Sequence, residues 1–225
     1  MKTLLLAGRI GAAMLMLVGG LAVAPAAAVP VAPGESSIVY GTADPFAGAT
    51  LLATISAPFA SFDFSGLLTQ QVYSGGSLPG VSFRYTIAAD SLGTAALERT
   101  TMSFFAGFQT NLDYVLGSGT SDAPLTVSRQ ANGDSVGFTW ATNEGIPPDT
   151  VAPFLYILTN ATGYGLGGVV SLMNGGVASV SVYKPVGVPE PASVLLVGAG
   201  IVALGLFWRQ GRRVARLCEG TESPS

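Results

Sequence analysis

The residues Val81-Ser82-Phe83-Arg84-Tyr85-Thr86-Ile87 put an apolar side chain at every odd position and a polar one at every even position. Successive side chains of an extended strand point to opposite faces, so this order buries one face and wets the other; a helix cannot gather it on one side. The same period returns in Val136, Phe138 and Trp140, in Phe62 and Phe64 around Asp63, and in Ala178, Val180 and Val182. Two Asn-Gly pairs punctuate the pattern: Asn132-Gly133 separates the runs 125–129 and 135–140, and Asn174-Gly175 separates 169–173 and 177–183. Asn-Gly accepts the positive φ of a tight turn, so two antiparallel hairpins are expected. The run 154–158 is apolar throughout, the mark of an interior strand covered on both faces. Candidates at 38–41, 51–57, 68–73 and 100–105 complete a chain of short strands, and 88–97 reads as loop. The expected fold is all-β, an antiparallel β-sandwich over residues 37–187, of which the jelly roll is one form.

Charge separates this middle from the ends. Between Val29 and Gly187 the basic residues are Arg84, Arg99, Arg129 and Lys184, against ten acidic ones, a net of −6. Nucleic acid is therefore excluded as a partner, because phosphate binding needs clustered Lys and Arg. The chain has no histidine, and its single cysteine, Cys218, lies outside the middle, so no intrachain disulfide and none of the usual Cys/His metal or catalytic sets can form.

The whole chain is 49% hydrophobic and only 10% charged, and part of that excess sits at the termini. Lys2 and Arg9, an uncharged apolar stretch over 10–23 and Ala26-Ala27-Ala28 form a signal-peptide pattern over 1–28, with Ala26 and Ala28 as the small residues that signal peptidase recognises. A cut after Ala24 would put Pro25 just beyond it, and an uncleaved anchor would need a longer apolar run, about 20 residues. Residues 29–36 show no period and are expected to stay as a loose leader. At the other end Val188-Pro189-Glu190-Pro191 precedes the apolar run 192–208, which is followed by Arg209, Arg212, Arg213 and Arg216. Seventeen residues reach about 26 Å as a helix, the lower edge of a bilayer span. Pro191 suits its first turn, Trp208 suits the interface, and the arginines favour the cytoplasmic side, with the tail 217–225 behind them. A membrane helix over 192–208 and an exported middle are the consistent topology.

Candidate chemistry in the middle fails on context. Gly163-Tyr164-Gly165-Leu166-Gly167-Gly168 matches G-x-G-x-x-G, yet the following residues 169–173 read as strand rather than helix, which predicts a glycine-rich strand or bulge. Ser181 and Lys184 have the S-x-x-K spacing, but positions three apart on a strand face opposite ways. Acids fall beside turn residues, as in Asp44-Pro45, Gly133-Asp134 and Pro148-Asp149, where a solvated turn carboxylate is the simpler reading. Asp113, Asp122 and Asp134 could meet around calcium, Asn160-Ala161-Thr162 fits a glycosylation acceptor, and Phe104, Phe105, Phe108, Trp140 and Tyr156 could stack on a sugar, with core packing the default for most. No catalytic residue and no cofactor is expected.

The ordered set Val188-Pro189-Glu190-Pro191, apolar span and arginine cluster resembles the PEP-CTERM sorting domain of exopolysaccharide-producing Gram-negative bacteria. The resemblance covers about the last 40 residues of the chain. It implies recognition of Pro189, Glu190 and Pro191 by exosortase, a membrane-embedded transpeptidase-like enzyme, with Arg209, Arg212 and Arg213 as the stop. Cutting near the motif would then transfer or release the exported part. The expected product is a non-catalytic surface or matrix protein associated with exopolysaccharide or biofilm. A hydrolase built on a carboxylate pair 5 to 10 Å apart and a permanently anchored surface protein are the alternatives.

Overall fold

Strand alternation is realised in three dimensions by twelve strands among the described residues. The structure is a computed structural model that describes residues 27–75, 78–141 and 144–187. In chain order these are β1 (Val29–Pro30), β2 (Ser36–Ile38), β3 (Thr50–Ala60), β4 (Ser65–Ser74), β5 (Val81–Ala89), β6 (Arg99–Met102), β7 (Thr110–Tyr114), β8 (Thr126–Arg129), β9 (Val136–Thr139), β10 (Leu155–Thr159), β11 (Gly163–Asn174) and β12 (Gly176–Val186). Among the described residues there is no helix. Residues 1–26 of the expected signal peptide 1–28 and the expected membrane helix 192–208 lie outside them.

Two six-stranded antiparallel sheets carry the chain, ordered β1-β7-β10-β5-β4-β3 and β12-β11-β6-β9-β8-β2. Their inner faces share one core, in which Leu68, Phe83, Ile87, Leu112 and Ile157 of the first sheet meet Met102, Val127, Phe138, Val170 and Leu172 of the second. β5 shows why: Phe83, Tyr85 and Ile87, the odd positions, are wholly buried. Both hairpins form, with β8 against β9 and β11 against β12, and Gly133 and Gly175 take φ of 72° and 66° at the turns. Residues 155–158 of the apolar run enter β10, which is buried along its length between β7 and β5, while Phe154 precedes the strand and is half-buried.

Three edge strands carry a proline: Pro30 on β1, Pro58 on β3 and Pro185 on β12. An imino residue has no N–H to offer an incoming strand, which blunts the edge against pairing with other chains.

Two side chains stitch the sheets together. Gln70, inward on β4, donates from Nε2 to the Tyr183 carbonyl of β12 (2.9 Å) and accepts from the Tyr183 N–H through Oε1 (2.7 Å). One amide thus occupies the backbone edge of β12 as a strand would. Arg129, inward on β8, donates from Nε to Gly133 O (3.0 Å), from Nη1 to Val31 O (3.4 Å) and Thr110 Oγ1 (3.2 Å), and from Nη2 to Phe105 O (2.8 Å) and Phe108 O (2.9 Å). All five contacts are neutral acceptors, and burial lowers the guanidinium pKa.

Three expectations need correction. Residues 29–36 are not a loose leader: β1 pairs with β7, Val31 is 2% exposed and held by Arg129, and Ser36 opens β2. The ladder and the buried guanidinium supply an order that the composition of this stretch does not announce. Phe62 and Phe64 do not lie on a strand; they sit in the β3–β4 turn, closed by Ser61 N–H to Phe64 O (2.8 Å), with Phe62 exposed and Phe64 buried. Strand β7 falls where no strand was expected.

Candidate functional site

The outer face of the first sheet carries a cluster of polar and aromatic side chains. Register aligns Gln71, Arg84, Tyr156 and Asp113 in one row across β4, β5, β10 and β7. These positions alternate with core residues, so they point away from the sandwich interior. The connection between β2 and β3 folds over the row and buries it. Phe46, Tyr73, Val115, Tyr156 and Leu158 form a small second core there, with Ala28 and Phe154 packed against it. Asp44 shapes the covering segment by accepting from Phe46 N–H (2.9 Å), a local turn bond favoured by short acidic side chains.

Arg84 is the centre of the cluster. Its guanidinium carbon lies 4.8 Å from the Phe154 ring centroid, 5.2 Å from Tyr73 and 5.9 Å from Phe46. Nε and Nη2 donate to Gln71 Oε1 at 3.0 and 2.6 Å, and Nη1 lies 3.6 Å from Asp44 Oδ2. Asp44 is 40% exposed, so solvent weakens that pair, and the rings and Gln71 hold the guanidinium more firmly. Phe46 also stacks on Tyr73 at 4.5 Å and meets Tyr156 edge-on at 5.9 Å.

Beneath this layer Asp113 is 1% exposed, and its Oδ1 accepts from Gly41 N–H (3.0 Å) and Tyr114 N–H (2.8 Å). Burial pushes its carboxyl above the usual carboxylate range, against the lowering effect of those two donors. Tyr156 shares a hydroxyl hydrogen bond with Thr42, and burial is the main cause that lifts its phenol to about 12, with Asp113 and Asp44 adding to the rise. Tyr85 and Tyr114 are raised as well, chiefly by burial. A folded pKa above the unfolded value of about 10 means that the unfolded state loses its proton first. The contribution is complete below pH 10 and is lost as pH climbs through the folded value. Stability measured by urea unfolding should therefore fall between about pH 10 and 12. Tyr156→Phe should flatten that fall; an unchanged slope would contradict the buried phenol.

The motif-like stretches resolve as structure. Gly163 to Gly168 open β11, with a bulge between Leu166 and Gly168 opposite β12. Ser181 and Lys184 sit on β12 three residues apart, and Lys184 Nζ lies 4.8 Å from the Phe104 ring. Asp113 lies on β7, Asp122 in the connection after it and Asp134 in the β8–β9 turn; among the described residues no three His, Cys, Asp or Glu side chains gather as a metal site. Asn160 Oδ1 accepts from Gln109 N–H (2.9 Å). Phe105, Trp140 and Tyr156 are buried, Phe108 packs on the core, and Phe104 is exposed.

Of the residues marked for processing, Ala28 alone is described, packed against the second core. Ala26, Val188, Pro189, Glu190, Pro191, Arg209, Arg212, Arg213 and Arg216 lie outside the described residues. Strand β12 ends at Val186, and the next residue, Gly187, has φ 68° and accepts from Thr162 N–H at 3.0 Å. A Cβ there would meet Thr162 Oγ1, so the chain leaves the sandwich through a glycine-only corner.

Arg84, Gln71, Asp44, Thr42, Phe46 and Tyr73 were not marked from sequence. The only signal was the even position of Arg84 in an alternating strand. Comparison with known proteins bears on the C-terminal end: residues 187–213 match the family model described as the PEP-CTERM protein-sorting motif. No curated protein and no solved structure matches the chain. The motif implies export, a membrane-anchored sorting signal, and processing by exosortase-like machinery.

Proposed function

We propose that this chain, which carries a PEP-CTERM sorting motif, is an exported, non-catalytic β-sandwich that is processed at the motif and then resides among exopolysaccharide at the cell surface or in the matrix. The observation that carries the reading is the junction at Gly187. The sorting match begins at the residue directly after the last strand. A cut near Pro189-Glu190-Pro191 would therefore separate the membrane segment from a sandwich that keeps all twelve strands.

A proline fixes its own φ, offers no N–H and disfavours helix in the residue before it, which makes the sequence Pro189-Glu190-Pro191 a suitable recognition element for a processing enzyme. Four of the ten acids of the sandwich bond within the fold, which supports a structural role for them. Glu35 accepts from Ala32 N–H, Asp44 from Phe46 N–H, Asp90 from the Ser65 hydroxyl and Asp113 from two backbone N–H groups. Such carboxylates serve turns and strand ends.

Glu190→Ala should accumulate at precursor size in the membrane fraction while the wild type is shortened. Equal size and equal membrane retention of the two proteins would remove Glu190 from the recognition element. Association with exopolysaccharide is read by fractionation: the mature sandwich should leave the envelope fraction of cells that make none.

A further inference from the structure

We propose that signal cleavage after Ala28 creates a charged docking site for the new N-terminus of the chain itself, in which the α-ammonium of Val29 pairs with the Asp113 carboxylate on the outer face of the first sheet. The inference rests on the export reading and adds a structural consequence to it.

Register supplies the placement. Val29 pairs with Leu112 and Pro30 with Asn111, so Ala28 falls opposite Asp113. Residues facing each other across an antiparallel pair have Cα atoms about 4.5–5.5 Å apart and project to the same face. The nitrogen that cleavage would free joins Ala28 to Val29, so the register places it next to the position opposite Asp113. It should remain there after the cut, because Val31 N–H donates to Thr110 O (3.1 Å) and Arg129 Nη1 reaches Val31 O.

Charge supplies the reason. Asp113 is the one acid within a strand, is almost fully buried, and among the described residues makes no ion pair. A buried carboxylate without a cation is costly even when backbone N–H groups solvate one oxygen. Arg84 stands two strands away in the same row and is engaged by Gln71 and Asp44. Ala27 and Ala28 wall a cavity of about 230 Å³ that also touches Thr42, Asp44 and Tyr156. Cleavage removes that wall and leaves an ammonium beside it. The other titratable groups facing the site are Tyr114 on β7, Tyr156 on β10, Arg84 on β5 and Asp44 on the covering segment.

Pairing favours the protonated amine, so its folded pKa rises above the unfolded value of about 8. The stabilisation is complete below that value and is lost as pH rises through the folded one. Lys2 and Lys184 are the only lysines, so the mature chain presents two amines, that of Val29 and that of Lys184. Mature protein purified from the cell envelope is acylated with a succinimidyl ester from neutral to alkaline pH, and each site is quantified by mass spectrometry. The Val29 amine should react several-fold more slowly in the folded protein than in urea, with its half-maximal rate at higher pH. Asp113→Asn should remove most of that difference while Lys184 is unaffected. A first residue other than Val29 overturns the proposal, and retention of residues 1–28 overturns the export reading with it. A Val29 terminus as reactive folded as unfolded, or equally protected in wild type and Asp113→Asn, overturns this pairing alone.

Discussion

Arg129→Met is expected to destabilise the sandwich by about 3 kcal/mol or more, a large share of the 5–15 kcal/mol that holds a typical domain. The guanidinium bonds five acceptors contributed by the N-terminal segment, β7, the 103–109 connection and the β8–β9 turn. Burying a cation without a carboxylate has a desolvation cost, so the sign needs an argument. Methionine removes that cost but leaves the carbonyls where they are: Val31 O and Phe105 O keep the Thr110 hydroxyl and the Phe108 N–H, whereas Gly133 O and Phe108 O lose their donor, at about 1–3 kcal/mol for each buried acceptor. The orphaned acceptors outweigh the relieved desolvation. Arg129→Lys should recover little, because an ammonium cannot reproduce the planar fork. The midpoint of urea unfolding measures both variants, and a loss under 1 kcal/mol for Arg129→Met would contradict this role.

Gln70→Leu should lower the thermal midpoint by roughly 5–10 °C, taking 2–3 kcal/mol at 2–4 °C each for a domain of this size. Leucine fills similar space but cannot pair with the Tyr183 N–H and carbonyl, and the Tyr85 hydroxyl also loses its donor from Gln70 Nε2. The freed edge of β12 would also be open to other chains, so concentration-dependent aggregation should accompany the loss. An unchanged midpoint would mean that apolar packing alone joins the sheets there.

Both side chains were legible in part. Arg129 shares a face with Val127, and Gln70 with Leu68 and Val72, so period 2 points each inward. Their partners are not legible, because Gln70 and Tyr183 are 113 residues apart. Local pattern sufficed for β5, β10 and the two Asn-Gly hairpins, where alternation, apolar continuity and turn chemistry agree. It failed for β1 and β7, which exist through their pairing with distant strands, and it set β2 late, at 38–41 rather than Ser36–Ile38. Thr110–Tyr114 reads as polar loop because Asp113 and Asn111 occupy an outer face, and only the overlying β2–β3 connection buries Asp113. The Arg84 cluster was hidden for the same reason: its rings come from Phe46, Tyr73 and Phe154, far apart in the chain. The sorting segment, by contrast, is a linear signal and could be read from residue order.

Mass spectrometry of the mature protein from cell envelope and medium tests the central claim most directly. Processing at the motif predicts peptides that begin at Val29, cover the sandwich through Gly187 and lack residues 192–225. Intact 192–225 in every fraction would contradict it and leave a permanently anchored protein in its place.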